Sequence, residues 1–174
     1  MPSRSHSLIQ SLDEKRCALL AEAEALDPGV LMAKPMPEKW AILEILEHLI
    51  LAERVILQGL PPLEELAARP RSLRNRCLYS LVMFILKARI PVKVPSRRMA
   101  PTGQFSLPEL RLQWDENLRW LEAFVASRDP LGLRGAVFTH PVAGPITLAQ
   151  ALRMDHLHQD AHLRQIRKLA GGGA

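Results

Sequence analysis

Six histidines are scattered along this chain, and the types and spacing of three of them suit the capture of one metal ion. His158 and His162 stand four residues apart in a stretch where Leu148, Ala151, Asp155, Ile166 and Leu169 recur at steps of three or four, so all share one helical face. Two neutral imidazoles on adjacent turns can offer both lone pairs to a single cation, and on an inward stripe they need such a partner. A satisfied polar cluster, or simply surface histidines, is the alternative reading of an HxxxH pair. His48 lies at the edge of another stripe, Ile42, Ile45, Leu46, Leu49, Ala52, Glu53 and Ile56. A lone histidine there is ordinarily a core residue, but as a third ligand it would complete the three-ligand, open-position arrangement of catalytic zinc sites.

Two carboxylates accompany this triad. Asp155, one turn before His158, is a candidate to orient a ligand ring or to contact the metal directly. Glu44, one turn before His48, is a candidate general base, with a solvated helix carboxylate as the alternative. His156 points about 200° away from His158 around a helix of 3.6 residues per turn, and His6 and His140 fall near a terminus and in a connector. Gln159 occupies the place where zincin proteases need a glutamate, which argues against a peptidase. No G-x-S-x-G elbow or phosphate-binding P-loop is present.

The elements that must position these residues are delimited by prolines. A Leu-, Ala- and Glu-rich window over 5–26 predicts a first helix, with Asp27, Pro28 and Gly29 as its stop and turn. A second runs from Trp40 to Gly59 and carries Glu44 and His48. Short and apolar stretches follow over 63–69 and 72–87, the latter apolar nearly all round in its second half and suited to burial or to a subunit contact. Residues 90–104, with Pro91, Pro95 and Pro101 beside Lys93, Arg97 and Arg98, read as a long basic loop. Ser106 with Glu109 and Thr147 with Gln150 have the capping-box pattern and start the last two helices; 133–145 reads as a turn-rich connector for which no sheet can be argued.

Length and composition agree with one folded domain over 1–174. Residues 1–14 lack the apolar run of a secretory signal, so a cytoplasmic location is expected, and the longest apolar run, 77–86, is about half of what a membrane span requires. Cys17 and Cys77 stand far apart with no CxxC spacing. Nine Lys or Arg residues and no acid fall between Leu66 and Pro108, although the net charge is only +5. Such a stretch attracts phosphates, anionic lipid heads or acidic substrates. Nucleic acid is a poor partner for it, because Tyr79 and Phe84 are its central aromatics and no recognition motif is present.

Three segments resemble the DinB/YfiT-like superfamily: Trp40 through Leu49 with His48; Phe138, Thr139, His140, Pro141 and Gly144, Pro145, Ile146, Thr147; and His158 through Ile166 with a trailing Gln-Ile. Ala41 stands where relatives often place a capping Ser or Thr, a change that weakens a helix start by roughly 1 kcal/mol. The resemblance implies an all-α fold, an up-down-down-up four-helix bundle with extra short helices, commonly a homodimer. It further implies a divalent ion, zinc or nickel first and manganese or iron next, on His48, His158 and His162. The activity it suggests is a metal-dependent one on a small molecule, either a transferase or isomerase using a low-molecular-weight thiol or a hydrolase. The alternative is a non-catalytic module that binds an anionic ligand or surface through 69–98.

Overall fold

The structure, a computed structural model, describes residues 4–58, 71–88, 90, 97–126 and 135–171. Four long helices form the bundle: α1 (Arg4–Glu24), α3 (Ile42–Gln58), α5 (Leu107–Ala126) and α6 (Leu148–Ala170). A short α2 (Pro28–Met32) follows α1, α4 (Leu73–Ala88) lies between α3 and a 3-10 turn at Arg97–Met99, and a hairpin of β1 (Ala136–His140) and β2 (Gly144–Thr147) precedes α6. The expected stretch at 63–69 and most of the basic loop lie outside the described residues.

Side-chain pairs fix the direction of each helix. Lys15 meets Asp160 and Glu22 meets Arg167, so α1 and α6 run parallel. Arg16 pairs with Asp115 and Glu24 with Arg111, which makes α5 antiparallel to α1. His48 meets His158, while Glu53 shares a cavity with Asp155 and Leu57 with Leu148, so α3 opposes α6. The result is up, down, down, up, as the resemblance implies, and the parallel middle pair demands the long crossover that contains α4.

The core is divided in two by a polar layer. One apolar cluster includes Ile9, Leu12, Leu57, Leu121, Phe124 and Leu148. The other includes Leu19, Ile45, Leu46, Leu49, Leu110, Trp114 and Ile166. Between them each long helix contributes at least one buried polar side chain: Arg16, Glu53, Asn117, and Asp155 with Gln159. Burial of such groups is tolerated where they bond to one another. Asn117 donates to Glu53 and to the Ile50 carbonyl, and accepts from Arg54.

Two features depart from the sequence reading. Asp27–Pro28–Gly29 does not merely end a helix but begins one: Asp27 accepts the Gly29 N–H at 2.8 Å, and Pro28 occupies the first turn, where its missing N–H would have had no partner. The connector before α6 forms an antiparallel hairpin, with Phe138 opposite Ile146 and His140 opposite Gly144. The N–H groups of Val142 and Ala143 both donate to His140 Nδ1, so this histidine is occupied as a turn cap. Gly144 has φ of 68°, and a Cβ there would collide with the Asn75 side chain of α4. Thr147 then starts α6 with a full capping box to Gln150. Among the described residues, no helix is long and apolar enough to cross a membrane.

Candidate metal centre

At one side of the polar layer, α3 and α6 bring His48, His158 and His162 together. Their ring centroids are 4.7 to 5.2 Å apart and the rings meet nearly edge-on. His158 Nε2 lies 3.3 Å from His48 Nε2 and 3.1 Å from His162 Nε2. Opposed helices bring this about because His158 and His162 project from successive turns of one face of α6 toward the single turn of α3 that carries His48.

The outer nitrogens of two rings are already committed. His48 Nδ1 is 2.7 Å from the Met99 carbonyl, which can only accept, so the proton resides on Nδ1 and the Nε2 lone pair faces the other rings. His162 Nδ1 donates to Gln165 Oε1 at 3.0 Å, with the same result. Trp40 covers His48 at 4.8 Å between centroids. Burial lowers the pKa of His48, although the Met99 bond opposes it. His158 falls to about 3 and His162 to about 4, chiefly through burial and then through neighbouring imidazoles. All three are therefore neutral at neutral pH. At most one inner contact at a time can be bridged by a proton on His158, so at least one lone pair is left facing another nitrogen.

This donor set fits a divalent ion. Nitrogens bound tetrahedrally at 2.0 to 2.1 Å lie about 3.4 Å apart, and about 3.0 Å apart in an octahedron; the two spacings to His158, 3.1 and 3.3 Å, fall in that range, and all three nitrogens lie within 4.8 Å of one another, so small ring rotations of His48 and His162 would close the set on an ion. Imidazoles suit zinc, nickel and iron better than calcium or magnesium.

Support for the centre comes from residues that the sequence reading passed over. Glu47, only 2% exposed, accepts the Thr102 N–H and hydroxyl with one oxygen and the Gly103 N–H with the other, all at 2.8 Å. This clamps the chain just after the 3-10 turn and so presents the Met99 carbonyl to His48. Gly103 adopts φ of 70° there, and its missing Cβ would sit 3.2 Å from Glu44 Oε1. Gln165 was legible only as part of a family-like segment; its position three residues beyond His162 was the available signal. Outer partners of this kind orient ligand rings, and their removal typically costs about 10- to 100-fold in metal affinity. A Gln165→Ala chain, altered at an exposed position, should accordingly bind zinc about tenfold more weakly by competition titration, with the metal-free melting temperature unchanged.

The two carboxylates are engaged elsewhere. Glu44 caps α3, accepting the Ala41 N–H at 2.9 Å and Lys34 Nζ at 2.8 Å. Burial acts to raise its pKa, but these bonds prevail and lower it. Ala41 thus keeps half of a capping box without a side-chain acceptor. Asp155 accepts from Gln159 Nε2 at 3.3 Å in the polar layer. Among the described residues, neither carboxylate bonds to an imidazole of the triad. His156 faces away, beside Lys15 and Asp160.

A family model described as the DinB superfamily matches residues 11–166, a span that includes the three histidines and every residue that orients them. Neither the curated proteins nor the solved structures gave a significant match.

Proposed function

Because the chain belongs to the DinB superfamily, we propose that it is a metal-dependent enzyme whose divalent ion, zinc or nickel in the first instance, is held by His48, His158 and His162. The observation that carries this reading is the convergence of three Nε2 atoms whose rings are neutral and, in two cases, anchored from behind. A bound ion would supply positive charge that lowers the pKa of a water or thiol in an open position.

The chain's own residues favour a thiol over water. Among the described residues no carboxylate stands free beside the triad: Glu44 is committed to Ala41 and Lys34, Asp155 to Gln159, and Gln159 itself cannot accept a proton as a zincin glutamate does. A small thiol, with a pKa of about 8.5 when free, needs little help to ionise, whereas water needs far more. In the proposed reaction the thiol proton passes to solvent, the sulfur forms a bond to an electrophilic carbon, and the group displaced leaves with the electron pair. Glu44, held anionic, contributes negative charge one turn from His48, since a carboxylate with a lowered pKa is a poor proton acceptor. Asp155 holds Gln159 in the polar layer and takes no proton in this scheme.

Protein loaded with zinc or nickel should contain one ion per chain by elemental analysis. It should consume a low-molecular-weight thiol together with an alkylating or arylating electrophile faster than the metal-free chain. Turnover of simple esters or amides alone would replace thiol transfer with hydrolysis. Absence of turnover in both assays would remove the enzymatic reading.

A further inference from the structure

The bundle face built by α4 is unlike the rest of the molecule. Tyr79, Val82, Met83 and Leu86 pack inward against the first core cluster. Yet no residue of α4 is fully buried, and Leu73, Leu81 and Phe84 remain 77%, 50% and 61% exposed. At 100° per residue, Leu73, Cys77, Leu81 and Phe84 fall within about 80° of one another, directly opposite the packed face. Arg76 and Lys87 flank this stripe on one side and Arg74 on the other, all three exposed. The helix is therefore apolar on two faces, one used by the fold and one presented outward between cations.

The charges identify what the outer face suits. Several cations elsewhere in the bundle pair with acids: Lys15 with Asp160, Arg111 with Glu24, Arg167 with Glu22, Lys34 with Glu44. Arg74, Arg76 and Lys87 form no ion pair among the described residues, and the sequence offers no Asp or Glu between Leu66 and Pro108. Packing this face against the same face of a second copy would set like charges side by side with nothing to neutralise them. A nucleic acid would find the cations separated by an apolar stripe in which Phe84 is the sole aromatic side chain. An apolar stripe with basic borders is the pattern of a helix lying in the plane of an anionic lipid surface, its apolar side chains entering the headgroup and acyl boundary.

We propose that the outward face of α4 docks the protein on an anionic membrane surface, with Leu73, Leu81 and Phe84 inserted and Arg74, Arg76 and Lys87 on lipid phosphates. The test is sedimentation of the full chain with vesicles of phosphatidylcholine alone and of equal parts phosphatidylglycerol and phosphatidylcholine. Binding is expected to the mixed vesicles and not to the neutral ones, and to weaken with salt. R74E/R76E/K87E should reduce the partition coefficient by roughly 100-fold or more. L81S/F84S, which keeps the charges, should reduce it by at least about tenfold. Both variants change exposed side chains, so their melting temperatures should match the parent. Equal binding to the two vesicle types, or binding unaltered in either variant, would overturn the proposal. So would a dimer in sedimentation velocity that L81S/F84S abolishes without any vesicle binding, because the face would then belong to a second copy.

Discussion

A His158→Ala chain is expected to lose zinc affinity by roughly 100- to 1,000-fold, while folding as well as the parent does without metal. The size follows from sharing the roughly 10 to 16 kcal/mol of a four-ligand structural zinc site among its ligands, which leaves about 2.5 to 4 kcal/mol for each. His158 is the member to remove, because its Nε2 lies within 3.3 Å of both other inner nitrogens and so occupies the middle of the cluster. The ring costs the metal-free protein something: it is desolvated, its pKa is held near 3, and its inner nitrogen faces two others. Its loss removes those penalties, and the small cavity left behind offsets part of the gain.

Thermal denaturation separates this expectation from a purely structural role. Zinc at about 100 times its dissociation constant stabilises the binding-competent fold by about 2.7 kcal/mol, which for a chain of this size corresponds to roughly 5 to 10 °C in melting temperature. The parent should show that rise and His158→Ala should not, with metal-free values alike. A rise that persisted in the variant would mean that zinc binds elsewhere. Collapse of the metal-free variant would mean that the imidazole serves packing rather than the ion.

How much of this centre could be read before the fold was known depends on the range of the contact. His158 and His162 are four residues apart on one helix, so their shared face is a local property of the sequence. His48 was placed by its position at the margin of an apolar stripe, and burial at 5% exposure agrees with that reasoning. Met99 is different: its carbonyl reaches His48 across 51 residues, through a turn whose presentation depends on Glu47. Glu47 resembled any glutamate of an amphipathic helix, and only the partners Thr102 and Gly103 reveal why it is buried. The hairpin was hidden because its strands are short, with Pro145 inside the second and Pro141 in the turn between them, while its closure uses the His140 side chain and a glycine shaped by α4. The charge of the basic stretch was evident, but which side of α4 faced outward was decided by packing on α6. Asp155 was legible as a buried carboxylate on the ligand face, yet its bond to Gln159 places it in a layer that required all four helices to be seen.

Glu53→Gln is expected to reduce an alkaline loss of stability that the same layer creates. Glu53 and Asp155 line one cavity of about 20 Å³, room for a single water, whose other walls are aliphatic side chains such as Ile56, Leu57 and Leu121. Burial raises Glu53 to about 7, against hydrogen bonds from Asn117 and Trp114 and the more distant charges of Arg16 and Arg54. Burial also raises Asp155 well above the usual carboxylate range, and the negative charge of Glu53 adds to it. A carboxyl whose pKa is higher folded than unfolded binds its proton more tightly in the native state. Its contribution is therefore fully present below the unfolded value of 4.5 and is lost as pH rises through about 7. The difference corresponds to about 3 kcal/mol from Glu53. Glutamine keeps an acceptor for Asn117 and cannot ionise, so urea denaturation at pH 5 and pH 8 should show a fall in stability for the parent that is smaller in the variant by about 2 to 3 kcal/mol, the remainder arising from Asp155. Parallel falls in the two chains would remove Glu53 as a source of the pH dependence and leave Arg16 and Arg54 as sufficient counter-charges for an ionised Glu53.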